Sequence, residues 1–131
     1  MAENDHLHLE LVAADRTVWS GPATMVVAKT ADGDIGIMRN HMPVLSLLVD
    51  GVVEITPADG EKLFAAVDGG FLSVANNRVS VLSQHAVLSG QIDVEAARAE
   101  LEAAESDPDS EDAGERARRA AARIRAAEKA S

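Results

Sequence analysis

The stretch VLSGQIDVEAARAELEAAE, residues 87–105, marks the point where the chain changes from one kind of secondary structure to another. Before Gly90 the sequence consists of short apolar runs separated by turn residues, a pattern typical of β-strands. Residues 92–105 contain no Gly or Pro and are rich in Ala, Glu, Leu and Arg, which favour an α-helix. We therefore predict a β domain over residues 1–90 and a helical region over residues 91–131.

The helical region is predicted to contain two helices. Asp93 is placed to cap the first helix, and the acidic segment SDPDSEDAG, residues 106–114, interrupts it. A second helix is predicted from about Gly114 to Ala130, with Asp112 and Glu115 spaced as in a capping box. Each helix carries an apolar stripe at 3-4-3 spacing, made of Val94, Ala97, Leu101 and Ala104 in the first helix and Ala117, Ala120, Ile124 and Ala127 in the second. Matching stripes predict an antiparallel helical hairpin.

That hairpin is predicted to be weakly held, because its stripes are mostly alanine. A buried methyl-sized group contributes only about 0.8 kcal/mol. An opened state close in energy can be selected by a binding partner, although a static C-terminal brace fits the same pattern.

The first 90 residues alternate between apolar runs and turn signals. HLHLELV, residues 6–12, places Leu7, Leu9 and Leu11 on one face of a strand. Turn signals follow at intervals typical of strands: SGP at Ser20, ADGD at Ala31, VDG at Val49, PADGE at Pro57, DGG at Asp68 and ANNR at Ala75. With no helix between the strands, this spacing predicts an antiparallel sandwich or barrel.

The composition excludes several classes of function. The chain of 131 residues has a net charge of −10, which argues against a nucleic-acid partner, and it contains no Cys, which excludes disulfides and zinc–thiolate sites. No apolar run approaches the roughly 20 residues of a membrane helix, and the acidic N-terminus is unlike a signal peptide. We therefore expect membrane association only through other proteins.

Basic charge is concentrated in the last 18 residues. Half of the 12 Lys and Arg side chains lie there: Arg116, Arg118, Arg119, Arg123, Arg125 and Lys129. These side chains could pair with the acidic first helix, or they could dock on an acidic segment of another protein. The helix lacks the large apolar face of a membrane anchor.

Catalytic motifs are absent from the sequence. There is no phosphate-binding P-loop and no Gly-x-Ser-x-Gly elbow. His6, His8 and Glu10 share one strand face at a spacing that metal ligands use, but His41 and His85 do not converge on them by spacing. We expect no metal and no cofactor.

The stretch DGDIGIMRNHMPVL, residues 32–45, is interpreted as a wide loop between strands that serves as a contact surface. Gly33 and Gly36 permit unusual backbone angles, and Pro43 forces Met42 into an extended conformation.

This stretch resembles the G-E-L-G-I…G-H-x-P-L signature of the epsilon subunit of F-type ATP synthases. VDGGFLSVANNRVSVLSQHAV, residues 67–87, resembles that family's Gly-Gly turn and Asn-bearing hairpin, and IDVEAARAEL, residues 92–101, resembles the start of its helical hairpin. Asn40 replaces the family's Gly before His, and Asn also tolerates left-handed angles. The resemblance covers nearly the whole chain in the right order.

The resemblance implies a non-catalytic rotor subunit with a β-sandwich and a C-terminal two-helix hairpin. Its implied partners are the gamma subunit, the c-ring and the alpha/beta catalytic head, at the cytoplasmic face of the bacterial plasma membrane. The segment implied to contact gamma and the c-ring contains Asp32, Asp34, Gly36, Arg39, His41 and Pro43. The six basic side chains of the last helix are implied to dock on an acidic segment of the beta subunit and to restrain ATP hydrolysis.

The nucleotide motif of some family members, Ile-Asp-x-x-Arg-Ala, is only partly present. Ile92 and Asp93 match, but Ala96 replaces Arg, and Arg98 comes two residues later, about 200° around a helix. Asp93 and Arg98 are therefore weak candidates for a nucleotide site. Two alternatives to the rotor subunit remain: an unrelated β-sandwich module whose tail recruits an acidic protein, and a metal-dependent enzyme using His6 and His8.

Overall fold

Nine β-strands followed by two α-helices form the computed structural model, which describes residues 6–130. The strands are β1 (Leu7–Ala13), β2 (Thr17–Thr30), β3 (Gly33–Met38), β4 (Val44–Leu48), β5 (Gly51–Pro57), β6 (Leu63–Val67), β7 (Gly70–Ala75), β8 (Arg78–Ser83) and β9 (Ala86–Leu88). A short 3₁₀ helix, Ser89–Gln91, leads to α1 (Val94–Ser106) and α2 (Ala113–Ala130). This order confirms the predicted fold class, a β-sandwich followed by a two-helix hairpin.

The strands form two layers joined by the long strand β2. The hydrogen-bonded order is β1-β8-β7-β4-β2-β5-β6-β9, with β3 paired to β2 and a further pairing between β1 and β2. All pairings are antiparallel except the one between β1 and β8, which is parallel. No local pattern predicts this exception, because β1 and β8 lie far apart in the chain.

The core lies between the two layers. Leu7, Leu9 and Leu11 are fully buried, as their alternation predicted, whereas His8 and Glu10 on the opposite face of β1 are exposed. The three leucines pack with inward-facing side chains of the other strands, the largest being Ile37, Ile55, Leu72, Val26, Val53, Val74, Val79 and Val81.

The turn predicted at Ser20-Gly21-Pro22 is wrong, because these residues lie inside the 14-residue strand β2. Pro22 is aligned with His8 of β1, and its carbonyl accepts a hydrogen bond from the Ala58 N–H at 3.0 Å. Pairing with β1 thus overrides the local preference of Gly-Pro for a turn.

The wide loop predicted over residues 32–45 is also wrong. Gly33–Met38 forms β3, antiparallel to β2 with Thr30 aligned to Gly33, so the loop is only residues 39–43. Gly33 has a φ of 120°, but Gly36 is not among the residues with positive φ and serves as an ordinary strand residue. Asn40, at φ 67°, adopts the left-handed conformation that its side chain tolerates.

The predicted two-residue turn at Asn76 and Asn77 is confirmed. Their φ angles are 52° and 63°, and they connect β7 to β8. Both residues have the positive φ that this kind of hairpin turn requires.

Helix α2 lies between α1 and the sandwich. Ala97 of α1 and Ala120 of α2 are buried where the two helices meet, as the apolar stripes predicted. Ala122 and Ala126 form a second apolar face on α2 and pack against Ala66 of β6. In the described part of the chain, neither helix combines the length and apolarity needed to cross a bilayer.

Replacing Gly70 by Ala is expected to lower the free energy of unfolding by about 3 kcal/mol or more. Gly70 has a φ of 110°, and an added Cβ would lie 1.9 Å from the carbonyl oxygen of Leu82, where β7 and β8 pair. Urea unfolding of the two proteins measures the difference.

The matched control is Gly36→Ala. A Cβ at Gly36 meets nothing within 4 Å, so this variant is expected to change the free energy of unfolding by less than about 1 kcal/mol. Equal stabilities of the two variants would contradict the close approach of β7 and β8 at Gly70.

Candidate functional site

One outer face of the sandwich exposes large apolar side chains. Leu45 and Leu47 of β4, Phe71 of β7 and Leu82 of β8 are 73%, 57%, 50% and 48% exposed. Leu47 is aligned with Phe71, and Phe71 with Leu82, so these side chains run in a row across three strands. We call these four residues the apolar face. Contiguous exposed apolar surface of this kind marks a protein-binding site.

The sequence did not reveal the apolar face. The strands VLSLL and GFLSVA carry apolar residues on both sides, so alternation cannot show that one side is uncovered. The face lies on the layer formed by β4, β7, β8 and β1, while the hairpin packs on β5 and β6 of the other layer. The chain therefore covers one of its outer faces and leaves the other open.

The loop of residues 39–43 is fixed to the turn between β7 and β8. The Asn40 N–H donates to Asn77 Oδ1 at 2.6 Å, and Asn77 Nδ2 donates to Asn40 Oδ1 at 3.5 Å. His41 Nδ1 donates to the carbonyl of Met42 at 2.7 Å, because a carbonyl can only accept. Met42 is 74% exposed, so the loop presents an apolar tip on a restrained backbone.

The six residues predicted to contact gamma and the c-ring fall into two groups. Arg39, His41 and Pro43 lie in the loop after β3, while Asp32 and Asp34 lie at the other end of that strand, with Gly36 between them. Thr30 Oγ1 holds the tight turn before β3, where it accepts from the Asp32 N–H at 3.1 Å and donates to the Gly33 carbonyl at 2.7 Å.

Asp34 lines a groove at the far end of β3, away from residues 39–43. The groove has a volume of about 310 Å³ and is also lined by Lys29, Glu54, Arg125 and Lys129. The structure thus places Asp34 beside the C-terminal end of α2, and it does not unite Asp32 and Asp34 with the loop as one surface.

The basic helix α2 is attached to the sandwich by two ion pairs. Arg118 Nε donates to Asp50 Oδ2 at 3.2 Å, and Arg119 Nε donates to Asp68 Oδ2 at 3.2 Å. Asp50 lies in the turn between β4 and β5, and Asp68 in the turn between β6 and β7. The two carboxylates are only 18% and 19% exposed.

Asp68 is held in place by neighbouring turns. Its backbone N–H donates to Ser83 Oγ at 3.1 Å, and the buried Ser83 hydroxyl points toward the carbonyls of Asp68 and His85. His85 Nδ1 contacts Asp68 Oδ2 at 3.2 Å. The carboxylate is therefore placed to accept from Arg119 without any rearrangement of the sheet.

The pKa values of the two carboxyl groups are shifted in opposite directions. Burial raises the pKa of Asp50, and the hydrogen bond and negative charge of Asp68 raise it further, against the lowering effect of Arg118. Burial would also raise the pKa of Asp68, but hydrogen bonds with Asp50 and His85 and the charge of Arg119 outweigh burial and hold it below its ordinary value. Asp68 is thus the carboxylate that carries the negative charge of the pair most readily.

Among residues 6–130, Arg116 is the one basic side chain of α2 that forms an ion pair with α1. Arg116 lies 3.6 Å from Glu100 and donates to Asp112 Oδ1 at 3.1 Å, while Ser110 also donates to Asp112 at 3.0 Å. The predicted pairing with the acidic first helix is thus represented by one ion pair, whereas Arg118 and Arg119 pair with partly buried aspartates of the sandwich. Three side chains form no ion pair with the described residues: Arg123, Arg125 and Lys129.

The two weak nucleotide candidates are not brought together. The Asp93 carboxylate caps α1, as predicted, by accepting from the Ala96 N–H at 3.1 Å. Asp93 also lines a cavity of about 490 Å³ between the helices, together with Arg116, Arg119 and Arg123, but Arg98 is exposed and does not line it.

The metal hypothesis finds no support in the arrangement of side chains. His8 lies on the exposed face of β1, and across residues 6–130 no group of three or more His, Asp or Glu side chains is arranged to hold a metal ion.

An open apolar face, a restrained loop and a basic helix held by ion pairs define a module that binds other proteins. The family model "ATP synthase, Delta/Epsilon chain, beta-sandwich domain" matches residues 6–89 of this chain. The ATP synthase epsilon chain of Streptomyces avermitilis is 55% identical over 91 residues, which cover 70% of this chain and 73% of that protein. The one of Rhodococcus opacus is 57% identical over 90 residues, which cover 68% and 74% of the two chains.

The chain therefore belongs to the ATP synthase epsilon chain family. Among solved structures, a chain of the Euglena gracilis mitochondrial ATP synthase (OSCP/F1/c-ring) shares the fold with a TM-score of 0.71 at 24% identity, covering 95% of this chain and 78% of that one. A chain of the Tetrahymena thermophila mitochondrial ATP synthase central stalk/c-ring gives a TM-score of 0.55 at 16% identity, covering 95% and 96%. The matched family range ends before α1.

Asp68→Asn is expected to lower the free energy of unfolding at pH 7 by about 1.5–3 kcal/mol, because it removes charged hydrogen bonds to Arg119. Since the folded-state pKa of Asp68 is lowered, this stabilisation is present above the ordinary value of 3.8 and is lost as the pH falls through the folded pKa. Urea unfolding from pH 7 to pH 3 measures it.

Asp50→Asn is expected to behave differently, because the pKa of Asp50 is raised from 3.8 in the folded protein. At neutral pH the folded state bears the cost of ionising Asp50, so Asn should leave stability unchanged or raise it. Any gain should vanish as the pH falls through the raised pKa. If Asp50→Asn lowered the free energy of unfolding as much as Asp68→Asn does, the opposite pKa shifts of the two aspartates would be contradicted.

Proposed function

We propose that this chain is a rotor subunit of the central stalk, which docks on the gamma subunit through the apolar face and contacts the c-ring through residues 39–43. In this role it couples proton flow through the ring to ATP synthesis, and its C-terminal helices restrain ATP hydrolysis. The complex would lie at the cytoplasmic face of the bacterial plasma membrane. The observation that carries the proposal is the uncovered apolar face on a chain of the epsilon family.

The apolar face has the properties of an interface core. Burying one of its Leu or Phe side chains contributes about 1.5–3 kcal/mol. The side chains stand on three neighbouring strands, so little conformational entropy of the backbone is lost on binding.

The loop fits a contact that must transmit force. Met42 offers an apolar tip, and the hydrogen bonds between Asn40 and Asn77 restrain its backbone. Asp32 and Asp34 lie at the other end of β3, so we assign the ring contact to Arg39, His41 and Pro43 with Met42. Asp34 lines the groove at the end of α2 instead.

The hairpin has to leave the sandwich to reach the catalytic head. Arg118 and Arg119 would then exchange Asp50 and Asp68 for acidic side chains of the beta subunit. Arg123, Arg125 and Lys129 form no ion pair with the described residues, so they could meet an acidic surface without first breaking one. A nucleotide site at Asp93 and Arg98 is not part of the proposal, because Arg98 does not line the cavity.

Phe71→Ala is expected to weaken binding to the cognate gamma subunit by about 30-fold or more, as for a central aromatic interface residue. Leu47→Ala should act in the same direction, because Leu47 is aligned with Phe71. Both side chains are at least half exposed, so the fold should survive. Calorimetry of the chain with gamma gives the dissociation constants.

The control for these variants is Glu61→Ala, an exposed position in the turn between β5 and β6. It should bind gamma as the parent chain does. Unchanged affinity of Phe71→Ala and Leu47→Ala would show that gamma binds elsewhere on the sandwich.

Hydrolysis by the reconstituted catalytic head with gamma tests the role of α2. The full chain should slow ATP hydrolysis, and the double variant Arg125→Gln, Lys129→Gln should slow it several-fold less, because these charges contact the acidic segment. The effect should shrink with added salt. A matched double variant, Lys62→Gln, Arg98→Gln, removes the same charge elsewhere and should inhibit like the parent.

Binding of the full chain without slowing hydrolysis would overturn the inhibitory part of the proposal. The hairpin would then be a passive brace, and the coupling role of the sandwich would stand alone.

A further inference from the structure

Two aspartates and two arginines form a clasp between the sandwich and α2. Asp50 and Asp68 come from two separate turns of the sandwich, and Arg118 and Arg119 are consecutive residues of α2. Each arginine donates through Nε to one aspartate, both at 3.2 Å. We use the name clasp for these four residues.

Each half of the clasp needs the other. The carboxyl groups of Asp50 and Asp68 lie next to each other in partly buried turns, and the negative charge of Asp68 raises the pKa of Asp50. Without α2, the two carboxyl groups would lack the guanidinium groups that compensate their negative charge. Without the sandwich, the arginines would be two more charges on an already basic helix.

The rest of the contact between α2 and the sandwich is weak. Its buried residues are Ala122, Ala126 and Ala66, with partly buried apolar side chains around them, among them Val52 and Phe64. Alanine buries little area, so the packing gives little preference for the docked position over an open one. The ion pairs of the clasp must therefore supply much of the preference, and ion pairs are sensitive to salt.

The two arginines of the clasp are also among the basic side chains that are proposed to dock on an acidic segment of the beta subunit. Any acidic surface that captures α2 has to compete with Asp50 and Asp68 for Arg118 and Arg119. The two aspartates thus imitate, within the chain, an acidic segment of a partner.

We propose that Asp68, with Asp50 beside it, acts as an internal competitor that holds the hairpin on the sandwich and sets the threshold for its release. The existence of the clasp rests on this chain alone. Its effect on ATP hydrolysis rests on the proposed function.

Thiol labelling of the full chain measures release directly. The chain has no Cys, so Ala122→Cys introduces a single thiol on the face of α2 that packs against the sandwich, at a position that is 1% exposed. Its reaction rate with a maleimide reports how often α2 leaves the sandwich. Ala28→Cys, 1% exposed in the core of the sandwich, reports opening of the sandwich itself.

Asp68→Asn and Arg119→Gln, each added to Ala122→Cys, should raise the labelling rate about tenfold or more. When Asp68→Asn and Arg119→Gln are combined, the increase in labelling rate should be smaller than the product of the two single increases, because both substitutions remove the same ion pair. Added salt should raise the labelling rate of Ala122→Cys alone toward the rates of the clasp variants. The rate at Ala28→Cys should stay unchanged, which separates release of the hairpin from unfolding.

Asp59→Asn and Arg98→Gln are the matched controls, since both side chains are exposed and lie outside the clasp. With either control substitution added, the labelling rate of Ala122→Cys should stay within about twofold of its rate in the parent chain. Equal rates for the clasp variants and these controls, or strictly multiplicative effects of Asp68→Asn and Arg119→Gln, would overturn the proposal.

Hydrolysis by the reconstituted head distinguishes the clasp from the proposed function. Asp68→Asn leaves the basic helix intact and frees it, so this variant should inhibit hydrolysis more strongly than the parent chain. Faster labelling with no inhibition by either protein would support the clasp and contradict the inhibitory role. Unchanged labelling with normal inhibition would support the role and contradict the clasp.

Discussion

The position of the C-terminal helices depends on how closely α2 approaches the sandwich. Ala122 and Ala126 present only methyl groups to Ala66, so the helix axis can lie near the sheet. From this position the guanidinium groups of two consecutive arginines reach two separate turns. Side chains as large as Leu in the contact would push the helix outward and lengthen the ion pairs. Small residues thus make an electrostatic attachment possible, while adding little attachment of their own.

The sequence predicted those parts of the structure that local chemistry determines. The alternation of Leu7, Leu9 and Leu11 predicted the core face of β1, Asp93 was recognised as a helix cap, and Asn76 with Asn77 as a hairpin turn. It failed where distant residues determine the outcome. Pairing with β1 keeps Pro22 inside a strand, and pairing with β2 makes residues 33–38 a strand rather than a loop.

The candidate site was predicted less completely than the fold. The basic character of α2 was evident, but the partners of Arg118 and Arg119 lie 68 and 51 residues away in the chain, beyond the reach of local patterns. Alanine at 122 and 126 carries no burial signal, because alanine is as common on exposed helix faces as on buried ones. The apolar face is not predictable for a related reason: a strand with apolar residues on both sides does not show which side is covered. Family membership rests on residues 6–89, whereas the role of the helices rests on the geometry of this chain.

The mutual hydrogen bonds of Asn40 and Asn77 have a mechanical consequence. They tie the loop of residues 39–43 to the turn that joins β7 and β8, the two strands that carry Phe71 and Leu82. These hydrogen bonds give a sideways load on the exposed tip at Met42 a direct path into the sheet, so that the loop tip and the apolar face belong to one connected body rather than to two independent parts.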